Sequence, residues 1–191
     1  MRSPNRTMYA VLGFLSRRPM SGYDLKKAVE QSVGNFWKES YGQLYPILKR
    51  LSEQGLVEKV DGAGGGKRAR HVYSVTSDGR QALRRWLEEP TEPQQLRNEL
   101  LLKLFFGGRG DATWSRRQVE RTRRRLVAEL ERYEAIHERL RRDHADDADY
   151  EYWVITVRYG ERDTRALIDW CDETLAVFDR MASRTSSKDE K

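Results

Sequence analysis

Residues 39–57 read Glu39-Ser-Tyr-Gly-Gln-Leu-Tyr-Pro-Ile-Leu-Lys-Arg-Leu-Ser-Glu-Gln-Gly-Leu-Val57, and the fold is decided here. Ser40 stands where a helix N-cap belongs, and Gln43 follows at the spacing of a capping box. Leu44, Ile47, Leu48 and Leu51 recur at helical intervals and define one buried face. Gly55 supplies a C-terminal stop. Ser40, Tyr41, Gln43, Tyr45 and Lys49 remain near the start of the exposed side. Such residue types reach base edges and phosphates from a helix lying in a groove. Taken alone the segment also fits an ordinary amphipathic helix with a solvated outer face, so its surroundings carry the decision. Pro46 removes an amide and crowds the carbonyl of Gly42, which predicts a local distortion rather than a break.

Upstream, Thr7 to Ser16 reads as a mostly buried first helix, ended by the Arg17-Arg18-Pro19-Met20 turn. Ser21-Gly-Tyr-Asp24 is a second capping signature, opening a helix through Leu25, Ala28 and Val29. Downstream, Leu56–Val60 and His71–Val75 alternate as strands around the basic, glycine-rich connection 61–70. Thr76-Ser-Asp-Gly79 opens a fourth helix that stops near Pro90. Three helices and a two-stranded basic hairpin make a winged helix-turn-helix, with residues 1–90 as the first domain.

Residues 91–182 read as an all-α second domain. It contains a short apolar segment from Asn98 to Phe106, then a helix from Ala112 to about His144 with Val119, Leu126, Tyr133 and Leu140 seven apart. The acidic stretch 143–149 breaks it, and a last helix carries Trp153, Val157, Leu167, Trp170, Cys171, Leu175, Phe178 and Met181. The polar residues 183–191 are expected to form a disordered tail. The class is therefore mainly α. The two striped helices need each other, as a helical hairpin, or a second copy of the chain; a two-fold dimer is favoured because it sets two readers about 34 Å apart, one DNA turn.

The chain has 191 residues and a net charge of +6. Residues 1–90 hold 16 Lys/Arg against 9 Asp/Glu, a net of +7, and residues 91–191 hold 20 against 21, a net of −1. The excess positive charge lies in the winged domain and favours a polyanion. No apolar run is long enough to span a membrane. A single cysteine excludes an internal disulfide framework and fits the cytoplasm.

Enzymatic motifs are lacking. Gly62-Ala-Gly-Gly-Gly-Lys67 departs from the phosphate-loop pattern, since Asp61 stands at its first glycine and Arg68 follows the lysine. His71, His137 and His144 form no ligand pair with each other or with Cys171, so neither a metal nor a cofactor is expected. No nucleophile elbow occurs and no catalytic residue is assigned. Lys67, Arg68 and Arg70 suit backbone contacts from the wing tip, or else a solvated loop. The aromatic residues around Trp153 and Trp170 admit two readings, a packed core or an apolar pocket for a flat ligand.

These residues resemble the PadR family of transcriptional regulators. The resemblance rests on Met8-Tyr-Ala-Val-Leu-Gly-Phe-Leu15, Met20-Ser-Gly-Tyr-Asp-Leu25, Tyr41-Gly-Gln-Leu-Tyr-Pro-Ile-Leu-Lys-Arg-Leu51, Gly55-Leu-Val57 and Arg70-His-Val-Tyr-Ser-Val-Thr-Ser-Asp-Gly79. Asn98-Glu-Leu-Leu-Leu-Lys103 and Ile168-Asp-Trp-Cys171 are similar to the helical C-terminal domain of its longer, virulence-activator-like members. The resemblance implies a homodimer on a palindromic operator, with Ser40, Tyr41, Gln43, Tyr45 and Lys49 facing the groove. It makes Lys67, Arg68 and Arg70 the wing contacts, although this wing is longer and richer in glycine than is usual. It further implies repression relieved by a small aromatic effector. A winged-helix regulator working through protein partners, without a small-molecule sensor, is the alternative.

Overall fold

The computed structural model describes residues 6–37, 44–60, 71–93 and 97–189. The chain divides into two compact units, Met1–Pro93 and Gln94–Lys191.

In the first unit α1 (Thr7–Arg17) is followed by a two-residue strand β1 (Met20–Ser21) and then α2 (Gly22–Gln31). The expected turn at 17–20 thus ends in a strand, because Met20 and Ser21 pair antiparallel with Tyr73 and Val72. Ser21 also caps α2: its Oγ accepts from the Asp24 amide at 3.2 Å and donates to Asp24 Oδ2 at 2.6 Å. Both exchanges satisfy polar groups at a helix start. The described part of the third helix, α3, is Leu44–Glu53. Residues 38–43, with the expected capping box and the Gly42 carbonyl facing Pro46, lie outside the described residues.

Gly55 ends α3 at φ +68°, a left-handed conformation that glycine adopts without penalty. Its amide donates to the Ser52 carbonyl at 3.1 Å and the Leu56 amide to the Leu51 carbonyl at 2.9 Å, the paired bonds of a Schellman cap. The chain is thereby aimed into β2 (Val57–Val60), which pairs antiparallel with β3 (Val72–Val75). The sheet has three strands in the order β1-β3-β2, one more than the two-stranded wing expected. Thr76 closes the unit. Its Oγ1 accepts from the Gly79 amide at 3.1 Å, capping α4 (Ser77–Glu88), and donates to the Gly55 carbonyl at 2.7 Å. The core gathers Val11, Leu12, Leu15, Leu25, Val29, Leu44, Leu48, Leu51 and Val57, each at most 2% exposed.

The second unit comprises α5 (Glu99–Phe105), α6 (Ala112–Asp143) and α7 (Tyr150–Asp189). α6 and α7 pack against each other within the one chain, so the hairpin reading absorbs the seven-residue stripe: Val119, Leu126 and Tyr133 are buried there. Val119, Leu126 and Cys171 form its cluster, with Ile168, Trp170, Leu175 and Phe178 packed against it. Gly160 lies under the Tyr133 ring, where a Cβ would collide with it. Arg116 pairs with Asp179 at 2.5 Å, Arg123 with Asp172 at 2.5 Å and His137 with Glu161 at 2.9 Å across the two helices. The two Arg–Asp pairs are half-exposed and add little energy, while His137–Glu161 is more buried; together they favour one antiparallel register. The helical backbone of α7 continues to Asp189, through much of the segment 183–191 that was expected to be a disordered tail. Extending an existing helix needs no new nucleation, which is the costly step.

Candidate nucleic-acid interface

The buried face of α3 fixes what its other face can do. Leu44, Ile47, Leu48 and Leu51 are anchored in the core, leaving Tyr45 and Lys49 one turn apart on the outside. Tyr45 is 64% exposed. Lys49 Nζ stands 3.8 Å from Glu53 Oε1, a loose, exposed pair that leaves the ammonium available to a stronger anion. The structure therefore brings together two of the groove-facing residues read from the sequence. Ser40, Tyr41 and Gln43 lie outside the described residues, as do Lys67, Arg68 and Arg70 of the wing.

A concavity of about 350 Å³ runs between α3 and the sheet, lined by Tyr45, Lys49, Ser52, Glu53, Lys59 and Tyr73. Lys59 was not among the residues singled out, though the sequence held the signal. In a strand, alternate residues share a face, so Lys59 falls on the same side as the buried Val57, opposite Tyr73. A charged residue at a core-facing position has to emerge at the rim, and the rim here is the groove beside α3. Lys49 and Lys59 thus give two cationic groups on one concave surface, with tyrosines between them.

The two tryptophans, read from the sequence as either packed core or pocket lining, lie far apart within one protomer. Trp153 and Trp170 are 17 residues apart on one continuous helix, which separates them by about 25 Å at 1.5 Å per residue. Each has its own local role: Trp153 meets the His144 ring edge-on at 5.7 Å, and Trp170 packs against the Val119–Leu126–Cys171 cluster. Burial pushes the Cys171 thiol up, away from the reactive thiolate.

Another surface went unread. Tyr152, Ile155, Tyr159, Val177 and Met181 are exposed apolar residues of α7, and their spacings of three, four, eighteen and four keep them on one side of the helix. The buried Val154, Val157 and Cys171 occupy the opposite side. α7 therefore has two apolar faces, one used by α6. The hydrophobic residues of the last helix thus divide between the two faces, with Met181 on the exposed one and Leu175 in the hairpin.

Comparison with known proteins agrees with this geometry. Residues 11–85 match the transcriptional regulator PadR-like family, and residues 96–179 match the virulence activator alpha C-terminal domain. The negative transcriptional regulator PadR of Bacillus subtilis is 26% identical over 178 residues, 90% of this chain and 97% of that protein. The crystal structure of Bacillus subtilis PadR in complex with operator DNA shares the fold at a TM-score of 0.78 and 24% identity, covering 90% of this chain and 98% of that one. The same protein in complex with p-coumaric acid gives a TM-score of 0.74 with the same identity and coverage. The Vibrio cholerae virulence activator AphA is 31% identical with a TM-score of 0.76, over 91% of this chain and 98% of that one. With both domains matched in order, and a relative above 30% identity aligned nearly end to end, the chain belongs to the PadR-like family of DNA-binding transcriptional regulators.

Proposed function

We propose that this regulator binds a palindromic DNA operator as a homodimer, represses the adjacent gene, and releases the DNA when a small aromatic ligand binds. The observation that carries the reading is α3 itself. Its apolar face is locked into the core while Tyr45 and Lys49 project outward beside a groove that also receives Lys59. Base-reading and phosphate-binding groups are thus offered from one rigid element, as major-groove recognition requires. Ser40, Tyr41 and Gln43 complete the proposed groove-reading set, and Lys67, Arg68 and Arg70 are proposed as contacts to the flanking backbone. That Bacillus subtilis PadR has been solved on operator DNA supports this assignment.

Dimerisation rests on the open face of α7. Tyr152, Ile155 and Tyr159 are each more than 60% exposed, and a second copy of the same helix is the surface that covers them. The effector reading draws on the PadR complex with p-coumaric acid. Because Trp153 and Trp170 sit about 25 Å apart on one helix, a small-molecule pocket formed within one protomer is lined by no more than one of them. The protein acts in the cytoplasm, on the DNA beside its own gene.

The test is a titration against the DNA upstream of that gene and against a random duplex of equal length, at two salt concentrations. A preference of about a thousandfold that survives the higher salt is the expected outcome. Weak binding to both duplexes that fades with salt would remove the operator reading for this DNA and favour a regulator working through protein partners. Adding p-coumaric acid and other flat aromatics should quench tryptophan fluorescence and lower DNA affinity in parallel. Quenching without loss of DNA binding would separate the ligand from the switch.

A further inference from the structure

Gly22 opens α2 directly after the Ser21 cap, and the ring of Tyr45 lies over it. A Cβ at Gly22 would stand 2.8 Å from Tyr45 Cε1, 3.1 Å from Cζ and 3.3 Å from the hydroxyl oxygen. Gly22 is buried, yet Tyr45 remains 64% exposed. One flank of the ring rests on the start of α2 and the rest stays open.

Nothing in the backbone asks for glycine at this position. Among the described residues Gly55 is the glycine with positive φ, so Gly22 has a conformation that any L-residue adopts. Alanine would favour the helix there, since glycine is the poorer helix former and loses more conformational freedom on folding. What glycine supplies is room for the aromatic ring. We infer that Gly22 is a positioning residue for DNA recognition: it holds the Tyr45 ring in one orientation on the outer face of α3, ready for the operator. The inference rests on the reading of α3 as the DNA-facing helix. Its physical basis is preorganisation, because a side chain already fixed in its bound orientation loses less freedom on binding. It also links the two elements of the helix-turn-helix through a contact that lies at the surface rather than in the core.

A cycle of Gly22→Ala, Tyr45→Ala and the double variant tests it, with melting temperature and affinity measured for each. The probe is a duplex selected from a random-sequence pool by the wild-type protein, compared with an unselected duplex. Gly22→Ala should melt at or above the wild-type temperature, because the ring can swing away from the new methyl. Its affinity for the selected duplex should nonetheless fall roughly 5- to 100-fold, the range expected for losing one base contact. Affinity for the unselected duplex should change far less. The double variant should bind like Tyr45→Ala alone, since alanine at 45 leaves nothing to displace. Wild-type affinity in Gly22→Ala, alongside a weakened Tyr45→Ala, would overturn the inference while leaving the DNA-facing role of α3 intact. Losses that multiply in the double variant would overturn it equally. If Tyr45→Ala bound the selected duplex as the wild type does, the underlying reading of α3 would fail first, and the inference with it.

Discussion

Among the described residues, the first unit gathers thirteen buried hydrophobic residues from α1, α2, α3 and the sheet around one centre, whereas the second buries Val119, Leu126 and Cys171 as one small cluster, with Tyr133, Val154 and Val157 buried apart from it. The units are of similar length, so the contrast lies in geometry. Short helices and a small sheet, all contributing to one core, cover its centre from several sides. Two long antiparallel helices meet along a seam, and each side chain on the seam has neighbours on one side. The first unit therefore completes its own core, while the second leaves Tyr152, Ile155 and Tyr159 uncovered on α7 and Phe105, Phe106 and Trp114 uncovered before and within α6. A self-contained reader and an open helical pair suit different tasks, one to hold a recognition surface rigid and the other to join copies of the chain.

Substitutions in the two cores should separate these behaviours. Leu48→Ala empties a site that is fully buried within the first core, and should cost about 2–5 kcal/mol in denaturant unfolding. A loss well under 1 kcal/mol would mean that this core is looser than its burial implies. Gly160→Val forces a branched side chain into the Tyr133 ring and should cost about 1–3 kcal/mol, read as earlier melting of the helical pair. Unchanged melting would place the α6–α7 seam elsewhere. Thr76→Ala removes the N-cap of α4 and the bond to Gly55, for about 1 kcal/mol.

Ile155→Asp with Tyr159→Asp should change protomer stability by no more than about 0.5 kcal/mol, because both side chains are exposed. Sedimentation should nevertheless report monomers, and operator affinity should fall with the loss of the second reader. An intact dimer would move the interface off this face. Leu175→Asp is the wrong probe for that question, since Leu175 packs inside the hairpin and its loss would unsettle the fold.

The smallest effect concerns acid. Hydrogen bonding to Arg123, reinforced by its charge, holds the Asp172 carboxyl below its ordinary value. A folded value below the unfolded one means that the pair stabilises the protein above the ordinary carboxylate pKa. The contribution is then lost as pH falls through the lowered value. Asp172→Asn should therefore flatten the acid end of the stability profile slightly and leave neutral pH almost unaltered. A clear loss at neutral pH would give the inter-helix pairs more weight than their exposure allows.

Local chemistry in the chain was enough to specify most of the elements. Ser21 and Thr76 announced two helix starts, and Gly55 announced a helix stop, because caps are settled within a few residues of the position concerned. The periodicity of α3 likewise separated Leu44, Ile47, Leu48 and Leu51 from Tyr45 and Lys49 before any partner was known. What depended on residues distant in sequence was invisible. The third strand at Met20–Ser21 exists because β3 passes beside it, and Gly22 matters because Tyr45 arrives from another helix. Lys59 joins the groove only where the sheet meets α3. The second unit divides in the same way. Spacing along α6 gave a stripe, but which face of α7 would meet it, and which would stay open, was set by packing in three dimensions. A periodic pattern fixes the angle between side chains around one helix, whereas burial depends on where the neighbouring helix lies.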